Sequence, residues 1–294
     1  MMHLHLVGLA LVCAGSVRLC SYFFLTQAEQ HKVDWQTRWH RAITAFVVPP
    51  LLLLTTAVAI VSMGTSTGHH LWEGLLSYGL SVTFLGVGIL LWGRLALAAI
   101  RTQMAMRRIP KKTIETSMRT HLARGRVLAT PTVFSAQVGL WSSELVISQG
   151  LLAQLNDEHL AAVLAHESGH KHYRDTFWFF WLGGLRRLTA WLPYSEALWQ
   201  ELLLLREVRA DLWAARSVDT LVLAESLMSV ITAPLMPLES VCPGFSCAAP
   251  RSRLAQRIDA LLEVPTADGF DLNALQWSAM GLALLPLLTI PFHY

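Results

Sequence analysis

Apolar positions dominate the N-terminal third of the chain in three runs, each near the roughly 20 residues that a membrane-spanning helix needs. They extend from about Leu6 to Leu25, from about Ile43 to Met63, and between Leu71 and Ile100. Pro49-Pro50 in the second run predicts a kink or a late helix start. Trp72 and Trp92 stand where they would mark the two interfaces of the third. A fourth apolar run, about Leu275 to Phe292, is short and holds Pro286 and Pro291, so it predicts a marginal span. Between the third and fourth runs the pattern changes. Thr132 to Ser148 is rich in Val, Phe, Ser and Trp and is broken by Gly139, which predicts one or two short strands with Glu144–Ser148 the cleanest. Asn156-Asp157 then offers a helix N-cap, with Glu158 in the first turn where the helix dipole favours an acid. A further helix is predicted over Ser195 to Val218.

Composition supports a membrane protein. Of 294 residues 53% are hydrophobic and 15% charged, against roughly 25% charged in a soluble domain. A net charge of +3 is too small to argue for nucleic acid. Its distribution matters more. Between Arg101 and Arg126 lie eight Lys or Arg and one acid, Glu115, which predicts a basic cytoplasmic segment over 101–129. Residues 28–42 carry Lys32, Arg38 and Arg41, whereas 64–71 carry no Lys or Arg. The positive-inside rule therefore puts the N-terminus and the His69-His70 loop outside. Met1 to Ala10 lacks a basic residue, so the first run is expected to remain as an uncleaved span with Arg18 near the inner face. The four cysteines, Cys13, Cys20, Cys242 and Cys247, form no CxxC pair and are expected to be reduced thiols.

The residues that carry chemistry are His166-Glu167-Ser168-Gly169-His170. On a helix, positions i and i+4 share a face, so both imidazoles can reach one ion. Glu167 lies beside them and can take a proton from a water that the metal acidifies toward a pKa of ~7. Downstream, Glu207 and Asp211 are also i and i+4 on a predicted helix. Two acids beside Leu and Ala are costly unless paired or metal-bound. Glu207 as third ligand, and Asp211 as acceptor for a ligand imidazole N–H, would satisfy both; a surface ion pair with Arg206 or Arg209 is the other reading. The aromatic stretch Thr176 to Leu182, followed by Arg186-Arg187 and Trp191, predicts an interfacial or re-entrant element.

The run Glu158 to His170, then Tyr173-Arg174-Asp175, then Glu207-Val-Arg-Ala-Asp211, resembles the membrane gluzincins. These include the beta-lactam sensor–transducer proteases, the CAAX prenyl protease and the bacterial heat-shock membrane protease. Three spans ahead of the zinc domain most resemble the sensor–transducer branch. The resemblance implies a mainly α, integral-membrane fold. Three to four transmembrane helices would accompany a cytoplasmic α+β zincin-like (gluzincin) metallopeptidase domain with a small sheet. Its expected parts are membrane helices over 1–100, a basic linker over 101–129, the zinc domain over 130–265 and a fourth span over 275–292. It also implies one Zn2+ on His166, His170 and Glu207, Glu167 as base, Asp211 orienting a ligand, and a protein or peptide substrate at the bilayer. Glu144, Leu145, Val146, Ile147 and Ser148 would form the edge strand that pairs with substrate. His172, Tyr173, Arg174 and Arg209 are candidate oxyanion stabilisers. Two departures stand out. Ala248-Ala249-Pro250 replaces the His-Pro of the heat-shock and prenyl-protease branch, although Arg257-Ile258 matches. The sequence ends soon after the last apolar run, so no extracellular sensor is expected. An alternative of another class is a non-catalytic membrane scaffold holding zinc for structure.

Overall fold

A computed structural model describes residues 2–30, 34–65, 71–114, 123–232, 253–262 and 274–292. The expectations for His69-His70, for Cys242 and Cys247, and for Ala248-Ala249-Pro250 lie outside those residues. The chain is mostly helical with one small mixed sheet, and it divides into two compact units.

One unit comprises Met1–Gly93, Leu182–Leu202 and Asp268–Tyr294. Helices α1 (Met2–Gln30), α2 (Trp35–Met63) and the start of α3 (Leu71–Arg107) supply most of it. These three helices are long and apolar enough to cross a membrane. Ala10 and Ala14 of α1 pack with Leu53 of α2 and with Leu192, small residues letting two backbones approach. The α2 helix is continuous from Trp35 through Pro49 and Pro50, so the late start expected from the prolines does not occur. The compensation is visible. Pro50 has no N–H to give Phe46 O, the acceptor four residues back, and Arg18 Nη2 donates to that carbonyl at 3.2 Å instead. The fourth apolar run is a short helix, α10 (Ala274–Leu282), followed by a 3-10 segment, Leu285–Phe292. Thr55 Oγ1 of α2 donates to Ala283 O at 2.6 Å and ties that segment in place.

The other unit comprises Arg94–Trp181 and Leu203–Ala267. Its sheet has strands β1 (Lys111–Ile114), β2 (Ala123–Leu128), β3 (Ser135–Val138) and β4 (Glu144–Ser148), in the order β1-β2-β4-β3. β2 and β4 are parallel, and the other two pairings are antiparallel. Two expectations change here. The basic stretch 101–129 is no linker, because it finishes α3 and supplies β1 and β2. Arg126, buried, donates to Arg107 O and Ile109 O at the end of α3 and to Glu144. Glu144–Ser148 is not an edge strand. It lies inside the sheet, as its unbroken apolar centre Leu145-Val146-Ile147 demands once both faces are covered. On one face Leu145 and Ile147 pack with Leu160, Val163 and Leu164 of α5 (Asp157–His172). On the other, Val146 joins Met106, Phe134 and Val138. Ser148 is occupied structurally, its hydroxyl accepting from Phe134 N and Leu151 N to cap the short helix α4 (Gln149–Gln154). Among the described residues the free edge beside α5 is β3.

Helices α6 (Asp175–Leu188), α7 (Ser195–Ala214), α8 (Thr220–Thr232) and α9 (Leu254–Leu262) follow. In α6, Phe179 and Phe180 are buried while Trp178 and Trp181 are exposed. Ala162 and Ala165 of α5 pack against Leu223 and Leu227 of α8 and Leu261 of α9.

Candidate metal centre and active site

Asn156 starts α5 by accepting from His159 N at 2.8 Å. One apolar face of the helix is then held by the sheet and another by α8, which fixes the rotation that presents His166 and His170. Gly169 sets the distance to α7. A Cβ there would stand 3.1 Å from Ala210 Cα and 3.2 Å from Ala210 O, so two small residues let the helices meet backbone to backbone. Glu207 and Asp211, one turn apart on α7, are thereby brought to the histidine face of α5.

His166 Nε2 lies 3.1 Å from His170 Nε2 and 3.5 Å from Glu207 Oε2, and His170 Nε2 lies 3.8 Å from Glu207 Oε1. A tetrahedral ion bound at about 2.0–2.1 Å separates its ligand atoms by roughly 3.3 Å. The three side chains therefore fit an ion of zinc's size, and they form a group that could hold a metal. The other ring nitrogens support the same reading. His166 Nδ1 is 2.7 Å from Asp211 Oδ1, and His170 Nδ1 is 2.7 Å from Asp175 Oδ2. A carboxylate at Nδ1 favours the proton there, which turns both Nε2 lone pairs toward one point. Two lone pairs at 3.1 Å need a proton or a cation between them.

Each carboxylate behind a histidine is anchored by its own arginine. Arg257 of α9 donates to Asp211 through Nε at 2.7 Å and Nη2 at 2.8 Å. Arg209 pairs with Asp175 and lies 4.2 Å above the Tyr173 ring. Glu207 accepts two bonds from Arg206, at 3.0 and 2.6 Å. Burial alone would raise the pKa of all three acids, but the facing cations outweigh it. Arg257 and His166 lower Asp211, and Arg209 and His170 lower Asp175. Arg206, His170, His166 and Arg257 hold Glu207 well below the carboxylate range. Burial likewise opposes the charged form of His166, yet the Asp211 charge and its hydrogen bond, with help from Glu207, raise it to about 9. Without a metal, the site therefore keeps a proton on His166.

Glu167 is buried beside the pair. Its Oε1 accepts from Ser135 Oγ of β3 at 2.8 Å, and its Oε2 has no partner among the described residues. One carboxylate oxygen is thus held by β3 and the other is not.

Sequence reasoning did not assign Asp175, Arg257 or Ser135 a place at the site. Asp175 begins α6 only two residues after α5 ends, and positive φ at Arg174 turns the chain back so that the acid meets His170. Its one sequence signal is an acid five residues after His170. Ser135 had none. Of the suggested oxyanion stabilisers, Arg209 is committed to Asp175. His172 stacks on Trp213 at 3.8 Å, and Arg174 lies 5.0 Å above the Phe177 ring. Neither the centre of the sheet nor Ser148 reaches Glu167; Ser135 does.

No curated protein matches the chain. Residues 106–204 match the model of Peptidase family M48, a span that holds the sheet, His166, Glu167, His170 and Asp175 and stops just before Glu207. Over that span the chain is similar to a family of zincin-like metallopeptidases, and the match suggests a zinc metallopeptidase.

Proposed function

We propose that the protein is a membrane-embedded, zinc-dependent endopeptidase that hydrolyses peptide bonds of a protein substrate at the cytoplasmic membrane face. The observation that carries this reading is the convergence of His166, His170 and Glu207, whose ligand atoms all lie within 4.8 Å of one another, beside a Glu167 oxygen that has no partner among the described residues. His166, His170 and Glu207 would hold the ion. Zinc bound there supplies Lewis acidity, which acidifies water and polarises a carbonyl.

The chain's own residues do the rest. Glu167 Oε2 takes a proton from the attacking water, and the water oxygen bonds to the carbonyl carbon. As the C–N bond breaks, Glu167 returns that proton to the leaving amine nitrogen. Ser135 holds Oε1 so that the basic oxygen keeps its aim. Asp211 and Asp175 fix the two imidazoles, and Arg257 and Arg209 fix those acids. The free edge of β3 borders Glu167 and would bind substrate as an added strand.

The membrane placement rests on the three apolar helices, and the cytoplasmic face on the loop charges. That layout supports a grouping with the sensor–transducer branch. A structural zinc scaffold would need a fourth protein ligand to close the site, and among the described residues the metal-binding group has three. The test is casein cleavage by the detergent-purified full chain. Cleavage lost to 1,10-phenanthroline and restored by zinc is expected; cleavage indifferent to the chelator would defeat the proposal.

A further inference from the structure

Strand β3 presents two polar side chains to the active-site face of the sheet, and among the described residues only one of them has a partner. Ser148 N donates to Phe134 O at 2.9 Å, which sets the alternation of this antiparallel pair. Phe134, Ala136 and Val138 turn their backbone groups toward β4, so Ser135 and Gln137 turn theirs to the free edge. The side chains alternate too. Phe134, Ala136 and Val138 join the apolar cluster around Met106 and Val146. Ser135 and Gln137, paired with Ile147 and Leu145, lie on the face that α5 covers.

Ser135 is engaged by Glu167. Gln137 is not engaged. It is 9% exposed, and its Oε1 is buried with no hydrogen-bond partner among the described residues. A buried polar group left so costs about 1–3 kcal/mol, and an aliphatic side chain beside Leu145 would avoid the cost. The carboxamide is therefore better explained by something that arrives. A peptide laid along the free edge of β3 would place one side chain beside Gln137 on the same face, with Cβ atoms about 4.5–5.5 Å apart. A small rotation about the terminal torsion, which is broad in glutamine, lets the carboxamide meet it.

Resting on the peptidase reading, we propose that Gln137 is a specificity-determining residue. It hydrogen-bonds a hydroxyl or carboxamide side chain of the substrate, two positions along the bound strand from the residue opposite Ser135. The substrate class is then an extended segment with Ser, Thr, Asn or Gln at that position.

The experiment is a positional-scanning peptide library cleaved by the zinc-loaded full chain in detergent, native and Gln137→Leu. The native chain should prefer those four residues over Leu or Val at one subsite by roughly tenfold, the scale of one buried polar group left unpaired. Gln137→Leu should reverse the preference there and leave the other subsites alone. Gln137→Glu, a second variant of the same length, should favour Lys or Arg at that subsite; it decides the matter if the leucine variant does not fold. An unchanged profile, or one altered equally at every subsite, would overturn the assignment of Gln137 while leaving the peptidase reading intact. A zinc-loaded native chain that cuts no peptide would instead defeat the peptidase reading, and this inference with it.

Discussion

Replacing Asp211 with Asn keeps the shape of a side chain that is only 1% exposed and removes its charge and one acceptor. The carboxylate now accepts from Arg257 Nε and Nη2 at 2.7 and 2.8 Å, and its Oδ1 lies 2.7 Å from His166 Nδ1. The carboxamide has one acceptor oxygen, and its NH2 must face a donor on one side or the other. Breaking a buried ion pair typically costs about 3–5 kcal/mol. Arg257 keeps a neighbour in Glu207 Oε2 at 3.5 Å, which puts the expectation near 3 kcal/mol, or a melting temperature lower by roughly 6–12 °C for a domain of this size. Loss of an acceptor behind a ligand imidazole should also weaken zinc binding about 10–100-fold. Competition with a chromophoric chelator, read beside a thermal melt in the same detergent, measures both. A folded Asp211→Asn chain that binds zinc within twofold of the native one would refute the claim that Asp211 orients His166.

Gly169→Val places side-chain carbon where α5 meets Ala210 of α7, so the helices must part. We expect a loss of about 1–3 kcal/mol in a thermal melt and weaker zinc binding, since Glu207 moves with α7. Ser135→Ala removes the bond to Glu167 Oε1. A hydrogen bond to a charged group contributes about 1.5–3 kcal/mol, so kcat should fall roughly 10–100-fold with KM little changed, and Ser135→Thr should recover most of it. Zinc binding should also depend on pH, because the proton held on His166 must leave first. The folded pKa of about 9 lies above the ordinary histidine value. In metal-free protein the proton's contribution to stability is therefore full below about 6.5 and lost as pH rises through about 9. Apparent zinc affinity should climb across the same window and level off above it. Calorimetric titration from pH 6 to 9.5 would show this, and a flat profile would contradict it.

Helix α5 is legible in the sequence because local rules suffice: an Asn cap, apolar residues for two faces, and His at i and i+4. Glu207 and Asp211 are legible for a similar reason, as paired acids on an otherwise apolar helix. What escapes is set by tertiary neighbours. Glu144–Ser148 reads as a strand, but only pairing shows that β2 and β3 enclose it. Strands β1 and β2 hide in a basic stretch because Lys111, Lys112 and Arg124 are exposed; the buried Arg126 is satisfied by carbonyls at the end of α3 that no local pattern announces. Asp175 meets His170 only because Arg174 adopts a left-handed conformation. Ser135 reaches Glu167 across 32 positions of chain.

The central claim is that Glu167 acts on water at an ion held by His166, His170 and Glu207. The most direct measurement is zinc content and casein cleavage of the native chain and Glu167→Gln, purified side by side. We predict one zinc per chain in both and cleavage by the native chain alone. A native chain that stays free of zinc after supplementation, or a glutamine variant that cleaves as fast as the native one, would contradict the account.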